Sequence, residues 1–279
     1  MYDTVLKLLD SVGITLCKPL PLNLCKIQKA YLLEKYGIIS TDSDCDYQGT
    51  VFMFAIPYLV PEANDSNISA YAVPRDYHKF VADLSNSIVP QLKAAFPDNE
   101  FALFSDHSPI DERTAAALAG IGVLGKNGTV ITDSYSSFVF LGEIITDAIL
   151  ELPVANQEYR ISYCEGCNKC IEACPTRMKS CLSAITQKKG VLTADEEKLI
   201  IENGCAWGCD VCQLVCPHTK AAFRKGTILS KIPFFNESTT SILNVETIEK
   251  MARSEFEQRA YSWRGKETII RNLKLLGYY

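Results

Sequence analysis

Histidine is scarce in this chain. His78, His107 and His218 are the only three among 279 residues. They form no HExxH or other metal-binding spacing, which excludes a histidine-built zinc centre. Long apolar runs are missing too: none approaches the ~20 residues that span a bilayer. The N-terminus lacks a basic stretch followed by an apolar block, so no signal peptide is expected. Charge of one sign is not in excess, since the net charge is -5 with 22% charged residues. That excludes a basic nucleic-acid coat or a disordered acidic tail. There is no internal repeat and no low-complexity tract. No G-x-G-x-x-G loop opens a helix after a strand, and Lys126 lacks the Ser/Thr partner of a P-loop. With 47% hydrophobic residues, the expectation is a soluble cytosolic monomer with one large domain or two modest ones.

What the chain does have is cysteine: twelve residues, nine of them between Cys164 and Cys216. In a secreted mini-protein this density would mean disulfides; in a cytosolic chain of this size it points to metal. Cys164, Cys167, Cys170 and Cys174 fit C-x2-C-x2-C-x3-C-P, the ferredoxin spacing whose fourth cysteine ligates the other cluster. The tight turns let three thiolates reach three irons of one cubane, and the proline turns the chain away. Cys209, Cys212 and Cys216-Pro217 repeat the C-x2-C-x3-C-P end. A zinc ribbon needs only four thiolates and rarely uses this spacing, so two [4Fe–4S] clusters are expected. By ferredoxin logic, Cys164, Cys167 and Cys170 join Cys216 on one cluster. Cys174, Cys209 and Cys212 share the second with Cys181 or Cys205, and spacing leaves that choice open. Cys17, Cys25 and Cys45 lie far upstream and read as small buried thiols. A two-cluster ferredoxin needs only about sixty residues. The larger upstream part is therefore where the electrons are expected to be used, with a second cofactor as relay partner.

Hydrophobic periodicity predicts helices over 3–12 and 22–36, and a buried strand over 50–58 closed by Pro57. A long helix is expected over 74–96, capped by Asp76, with Pro90 marking a kink or break. A strand over 100–106 and an Ala-rich helix over 111–120 follow, then a hairpin of β-branched and aromatic residues over 129–147. Residues 151–163 read as a polar connector, and the tail reads as helical. The expected class is α+β: an N-terminal α/β cofactor and catalytic domain (1–155), a bacterial ferredoxin-like two-cluster module (156–230) and a helical C-terminal segment (231–279).

The stretch "SDHSPIDERTAAALAGIGVLGKNGTVI" (105–131) resembles the epoxyqueuosine reductase family, as do "FVFLGEIITD" (138–147) and "AYAVPRDYH" (70–78). The likeness continues through "CPT", "CLS" at Cys181, "GCDVCQLVCP" and the tail "RGKETIIRNLKLLG", and covers roughly residues 50–279. It implies a cobalamin-dependent enzyme with two [4Fe–4S] clusters that reduces epoxyqueuosine to queuosine in tRNA. Asp106 falls on the family's proton donor. A low-valent cobalt would attack the substrate carbon while Asp106 protonates the leaving oxygen, its pKa raised by burial under the corrin. Val130, Leu141 and Ile144 match family cobalamin contacts, and "GIGVLGKNG" would line the corrin cavity. Cys181 matches the eighth cluster ligand. The cobalt is expected base-off, without a protein histidine.

Read without the resemblance, each of these positions has a plainer explanation. Asp106 is a turn residue before a helix, Asp111 and Glu112 are first-turn acids, and Val130, Leu141 and Ile144 are hairpin core. His107 could tune or replace Asp106, His78 reads as structural and His218 as a solvated cap. The chain also departs from the family pattern: full-length members continue into a helical-repeat domain, and acidic "TDSDCDYQG" (41–49) stands where the family has a basic stretch. Basic residues of 160–189 (Arg160, Lys169, Arg177, Lys179, Lys188, Lys189) and of the tail (Arg253, Arg259, Arg264, Lys266, Arg271, Lys274) could meet phosphate or form solvated i,i+4 pairs. The expected partners are tRNA and an external electron donor of flavodoxin or ferredoxin type. The alternatives are a cobalamin-dependent reductase of a small non-tRNA substrate and a non-catalytic two-cluster electron carrier.

Overall fold

Residues 1–39, 47–152 and 164–279 are described by the computed structural model. Among them the chain forms two compact units, Met1–Pro57 with Phe80–Glu165, and Tyr58–Lys79 with Gly166–Tyr279. This division differs from the three consecutive segments expected from sequence, because residues 58–79 are claimed by polar contacts with the second half. Asn67 exchanges hydrogen bonds with Leu243, and Asp210 accepts from the Ser69 hydroxyl and the Ala70 N–H, each at 2.6 Å. The tail lies in the same unit as the cysteine module.

The first unit is built on a four-stranded antiparallel sheet. Its strands are β1 (Leu16–Pro21), β2 (Thr50–Pro57), β3 (Phe101–Phe104) and, after the short β4 (Val123–Leu124) and β5 (Val130–Ile131), β6 (Val139–Thr146). The sheet order is β1-β2-β6-β3. Every residue of β2 is buried, as its unbroken apolar run demands. Its helices are α1 (Tyr2–Asp10), α2 (Ala30–Lys35), α3 (Tyr77–Ala95) and α4 (Glu112–Leu118). Alternation along the strands sorts the faces. Val51, Met53, Ala55, Leu141 and Ile145 pack with Leu32, Leu33, Ala115 and Leu118, while Phe52 on the other face stacks on Tyr2 of α1.

Two sequence expectations change. The continuous helix over 22–36 is instead a 3-10 turn (Leu22–Leu24) followed by the short α2. Between them residues 26–29 leave the helix to bond the loop at 107–111. The 129–147 hairpin does not form. β5 pairs with β4, and β6 lies between β2, which pairs along its whole length, and the four-residue β3, because the two-residue β5 could not satisfy the backbone of a buried eight-residue strand. The glycine loop is thus a hairpin tip: Gly125 N–H donates to Thr129 O and Gly128 N–H to Gly125 O. The helix over 74–96 stands as α3 with Pro90 inside it, and Asp76 accepts from the His78 N–H at its start. The Ala-rich helix is α4, capped by Asp111. Cys45 and nearly all of the expected polar connector fall outside the described residues.

Gly142 in β6 leaves room for the Phe54 ring, since a Cβ there would stand 2.5 Å from two ring carbons. Gly142→Ala is expected to destabilise by about 1–3 kcal/mol through overpacking, read as a lowered urea midpoint.

The second unit is helical: α5 (Lys169–Ala173), α6 (Leu182–Thr186), α7 (Ala194–Asn203), α8 (Val211–Leu214), α9 (Pro217–Lys225), α10 (Pro233–Asn236), α11 (Val245–Lys250), α12 (Arg253–Phe256) and α13 (Lys266–Leu275). Leu182, Ile185, Leu192 and Ile200 form a small core under which Leu275 and Cys209 pack.

Candidate active site and cluster-binding cysteines

Asp106 stands at the exposed end of β3 with φ 62°. The His107 N–H donates to Ser105 O at 2.7 Å, closing a γ-turn around Asp106. Positive φ in such a turn is strained for a residue other than glycine. The turn is held from three sides. The Asp106 N–H donates to Glu112 Oε1 at 2.9 Å, and the Ser105 hydroxyl donates to Leu141 O at 2.6 Å. From the third side, Gln28 and Lys29 N–H donate to Pro109 O, while Asp111 N–H donates to Lys26 O. His107 lies between the Lys29 ammonium, 3.4 Å from Nδ1, and the Tyr31 hydroxyl, 3.3 Å from Nε2.

Behind the turn are two carboxyls. Glu143 on β6 is 0% exposed, paired across the strands with Met53 and Phe104, and neither carboxyl oxygen has a well-formed hydrogen bond. Burial, then the Glu112 charge, push its pKa well above the ordinary value, against a pull from the Ser108 hydroxyl. Burial also raises Glu112, to about 7; the Asp106 charge adds to this, while the Asp106 N–H, the Glu143 carboxyl and Lys29 oppose it. Sequence reasoning set Glu112 aside as a helix-start acid and passed over Glu143. The available signal was a lone acid inside the apolar strand "VFLGEIIT".

Val130 and Leu141 share one apolar cluster, and Ser105, next to Asp106, bonds Leu141 O. Val130 and Leu141 pack on the sheet face that carries α4, and Leu141 is half-buried. Ile144 is fully buried and, one residue along from Glu143, its side chain points to the opposite face.

In the second unit the two C-x2-C-x3-C stretches straddle α5 and α8, which pack together. Cys212 has Cys209, Cys181 and Cys170 as electrostatic neighbours, and Cys209 has Cys181 and Cys174. Cys181 is exposed, whereas Cys205 is half-buried and turns its thiol to Trp207 O at 3.3 Å. Among the described residues no three such side chains converge on a single metal ion. At Cys174 burial acts upward, but the Thr176 hydroxyl and the N–H groups of Met178, Thr176 and Arg177 outweigh it, and the thiol pKa falls. Upstream, Cys17 and Cys25 are buried, and burial pushes each thiol up to about 12, so both stay protonated.

No family model matches the sequence. Epoxyqueuosine reductase from Gloeobacter violaceus is 30% identical over 226 residues, covering 78% of this chain and 68% of that protein. The chain belongs to the epoxyqueuosine reductase family. The Bacillus cereus member is 31% identical over 211 residues, 71% of this chain and 53% of that protein. The chain thus spans between about half and two thirds of these relatives' length. Among solved structures, epoxyqueuosine reductase from Streptococcus thermophilus superposes with a TM-score of 0.73 at 23% identity, over 99% of this chain and 80% of the other. A second, an epoxyqueuosine reductase with an epoxyqueuosine-modified tRNA-Tyr stem loop, gives 0.72 at 23% identity, over 99% and 81%. Both show the shared α+β fold.

The "RN" stretch by which the tail resembles epoxyqueuosine reductases has a structural task. Asn272, fully buried, donates to Thr186 O at 2.7 Å and Ala206 O at 2.8 Å. Arg271 donates to Lys188 O and Gly190 O. Together they hold the loops after Cys181 and Cys205. Asn272→Ala is expected to cost about 1–3 kcal/mol, because two buried carbonyls lose their donor; a guanidinium unfolding curve measures it. Several cations considered for phosphate are engaged within the protein. Arg259 is buried and donates to Ser238 O, Lys266 to Met251 O, Arg253 pairs with Glu257 and Lys188 with Glu196. Arg160 falls outside the described residues. No helix among the described residues is long and apolar enough to cross a membrane.

Proposed function

We propose that the protein reduces epoxyqueuosine to queuosine in tRNA, with electrons passing through two [4Fe–4S] clusters to cobalamin. The observation that carries this is the Asp106 turn in a member of this family: an exposed carboxyl at the end of β3, held by Glu112 and beside Leu141. The solved relative with a modified tRNA stem loop supports tRNA as the substrate carrier.

The cysteine set fits the clusters. Cys164, Cys167, Cys170 and Cys216 would hold one. Cys174, Cys209, Cys212 and Cys181 would hold the other, and the mutual proximity of Cys181, Cys209 and Cys212 favours Cys181 over Cys205. Cobalamin, when bound, supplies a strongly reducing nucleophilic metal. Val130 and Leu141 offer it an apolar wall on the face of Asp106, and Ile144 would reach it only through its backbone.

The chain's own contribution is acid catalysis and positioning. Removing the epoxide oxygen breaks both C–O bonds, consumes two electrons and two protons, and releases water beside a new alkene. The electrons come from an external one-electron donor of flavodoxin or ferredoxin type. Asp106 gives a proton to the leaving oxygen. Its exposure means that its own fold does not bury it, so desolvation there must come from what docks over the turn.

The test is anaerobic reconstitution with iron, sulfide and cobalamin, followed by reductant and epoxyqueuosine-containing tRNA. Loss of one oxygen from the nucleoside by mass spectrometry is the expected result. Bound corrin with unchanged tRNA would favour a smaller substrate, and eight irons without corrin would favour an electron carrier.

A further inference from the structure

The acid on the turn delivers one proton per ionisation, whereas the reaction above takes two. We propose that Glu112 and Glu143 share a proton behind Asp106 and return it to the Asp106 carboxylate after its first donation. The inference rests on the reading of Asp106 as the proton donor and extends it to where the second proton is kept.

The geometry is a short chain leading inward. Asp106 is exposed, Glu112 touches it through its backbone N–H at 2.9 Å, and Glu143 lies fully buried behind Glu112. The groups that act most strongly on Glu143, and its strand neighbours, come from several elements. From the loop come Asp106 and Ser108, from α4 Glu112, from the segment before α2 Cys25, and from the flanking strands Met53 and Phe104. No cation is among them. Lys29 acts on Glu112 and is itself beside His107 and thereby Tyr31. A buried carboxylate without a cation or a good hydrogen bond is costly, so the group takes up a proton instead. A purely structural side chain at this apolar strand position would be leucine or methionine. A fully buried carboxyl that has no well-formed hydrogen bond and feels the Glu112 charge is what makes the cluster more than a group of acids.

The proton count closes. Asp106 gives its proton to the oxygen and becomes a carboxylate. The pair's single proton, held on Glu143, passes through Glu112 to the Asp106 carboxylate, leaving both glutamates ionised, and Asp106 then gives this second proton as water leaves. After product release, the exposed Asp106 edge takes protons from solvent and recharges the pair. Glu112 and Glu143 touch neither substrate nor cofactor and act through Asp106.

Two measurements on two variants test this. NMR of carboxyl-labelled glutamate in the cofactor-free protein follows the pair directly. Wild type should show one carboxyl of the pair still protonated at pH 7. In Glu143→Gln, which loses the carboxyl O–H that holds Glu112 down, Glu112 should titrate above its wild-type value of about 7. A Glu143 already ionised at pH 7, or a Glu112 titration unmoved in the variant, overturns the proposal. In the loaded enzyme, Glu143→Gln should lower kcat on the order of tenfold at pH 8, with KM unchanged and the defect closing toward pH 6, where solvent recharges Asp106 directly. A defect of equal size at every pH would mark a structural role and sink the idea. Glu112→Gln, which keeps an oxygen for the Asp106 N–H, serves if the first variant fails to fold. Should wild type reduce no epoxyqueuosine at all, the proposed function fails, while the titration still decides whether the pair holds a proton.

Discussion

Asp106→Asn should turn over epoxyqueuosine tRNA about 10²–10⁴ times more slowly than wild type, the usual loss for a general acid, with its iron–sulfur clusters reduced at an unchanged rate. Asparagine tolerates the positive φ that the γ-turn imposes, and it keeps the backbone N–H that donates to Glu112. The variant therefore removes the proton and leaves the turn. Stopped-flow bleaching of the clusters and a tRNA nucleoside assay on the same sample separate the two. A variant that turns over at the wild-type rate would show that the proton comes from elsewhere, with His107, braced between Lys29 and Tyr31, the first place to look.

The second large effect is expected at the cysteines. Cys181→Ala should cost one cluster, halving the iron from about eight to about four per chain, and with it all turnover that needs both relay steps. Cys205→Ala should keep the full iron content. The reason is placement. Cys181 is exposed and neighbours Cys209 and Cys212. Cys205 is half-buried with its thiol spent on Trp207 O. Iron analysis and EPR after anaerobic reconstitution read both variants. Full iron in Cys181→Ala with half in Cys205→Ala would reverse the assignment.

The fold was legible where one strong local rule acted alone. The apolar run 50–58 could only be a buried strand, and the periodicity of 74–96 was strong enough to carry a helix through Pro90. The Ala-rich stretch with Asp111 before it stated its own start. Legibility failed where distant partners decide. Nothing local says that β6 chooses β2 and β3 over nearby β5, because strand pairing is settled by which long edges need covering. Nor does anything local break 22–36 so that residues 26–29 can bond the loop carrying Asp106. At the site, the cysteine spacing could be read as a proposal because cluster spacing is a short-range code. Asp106 was singled out through resemblance, and its strained turn is a physical mark that sequence could not show. Glu143 was missed because a strand pattern with one acid reads first as a strand.

The clamp made by Arg271 and Asn272 has a consequence for how the protein is born. Every cysteine leaves the ribosome before these two side chains exist, the last of them 56 positions ahead of Asn272. At roughly 5–20 residues per second the loops after Cys181 and Cys205 wait on the order of several seconds without the groups that fasten them. During that interval the thiols are present on an unfastened scaffold, open to oxidation and to the wrong metal. Under the proposed cluster assignment, loading is a late event that waits on translation of the helix that closes the module, and slowing synthesis just upstream of that helix should raise the share of misloaded chains.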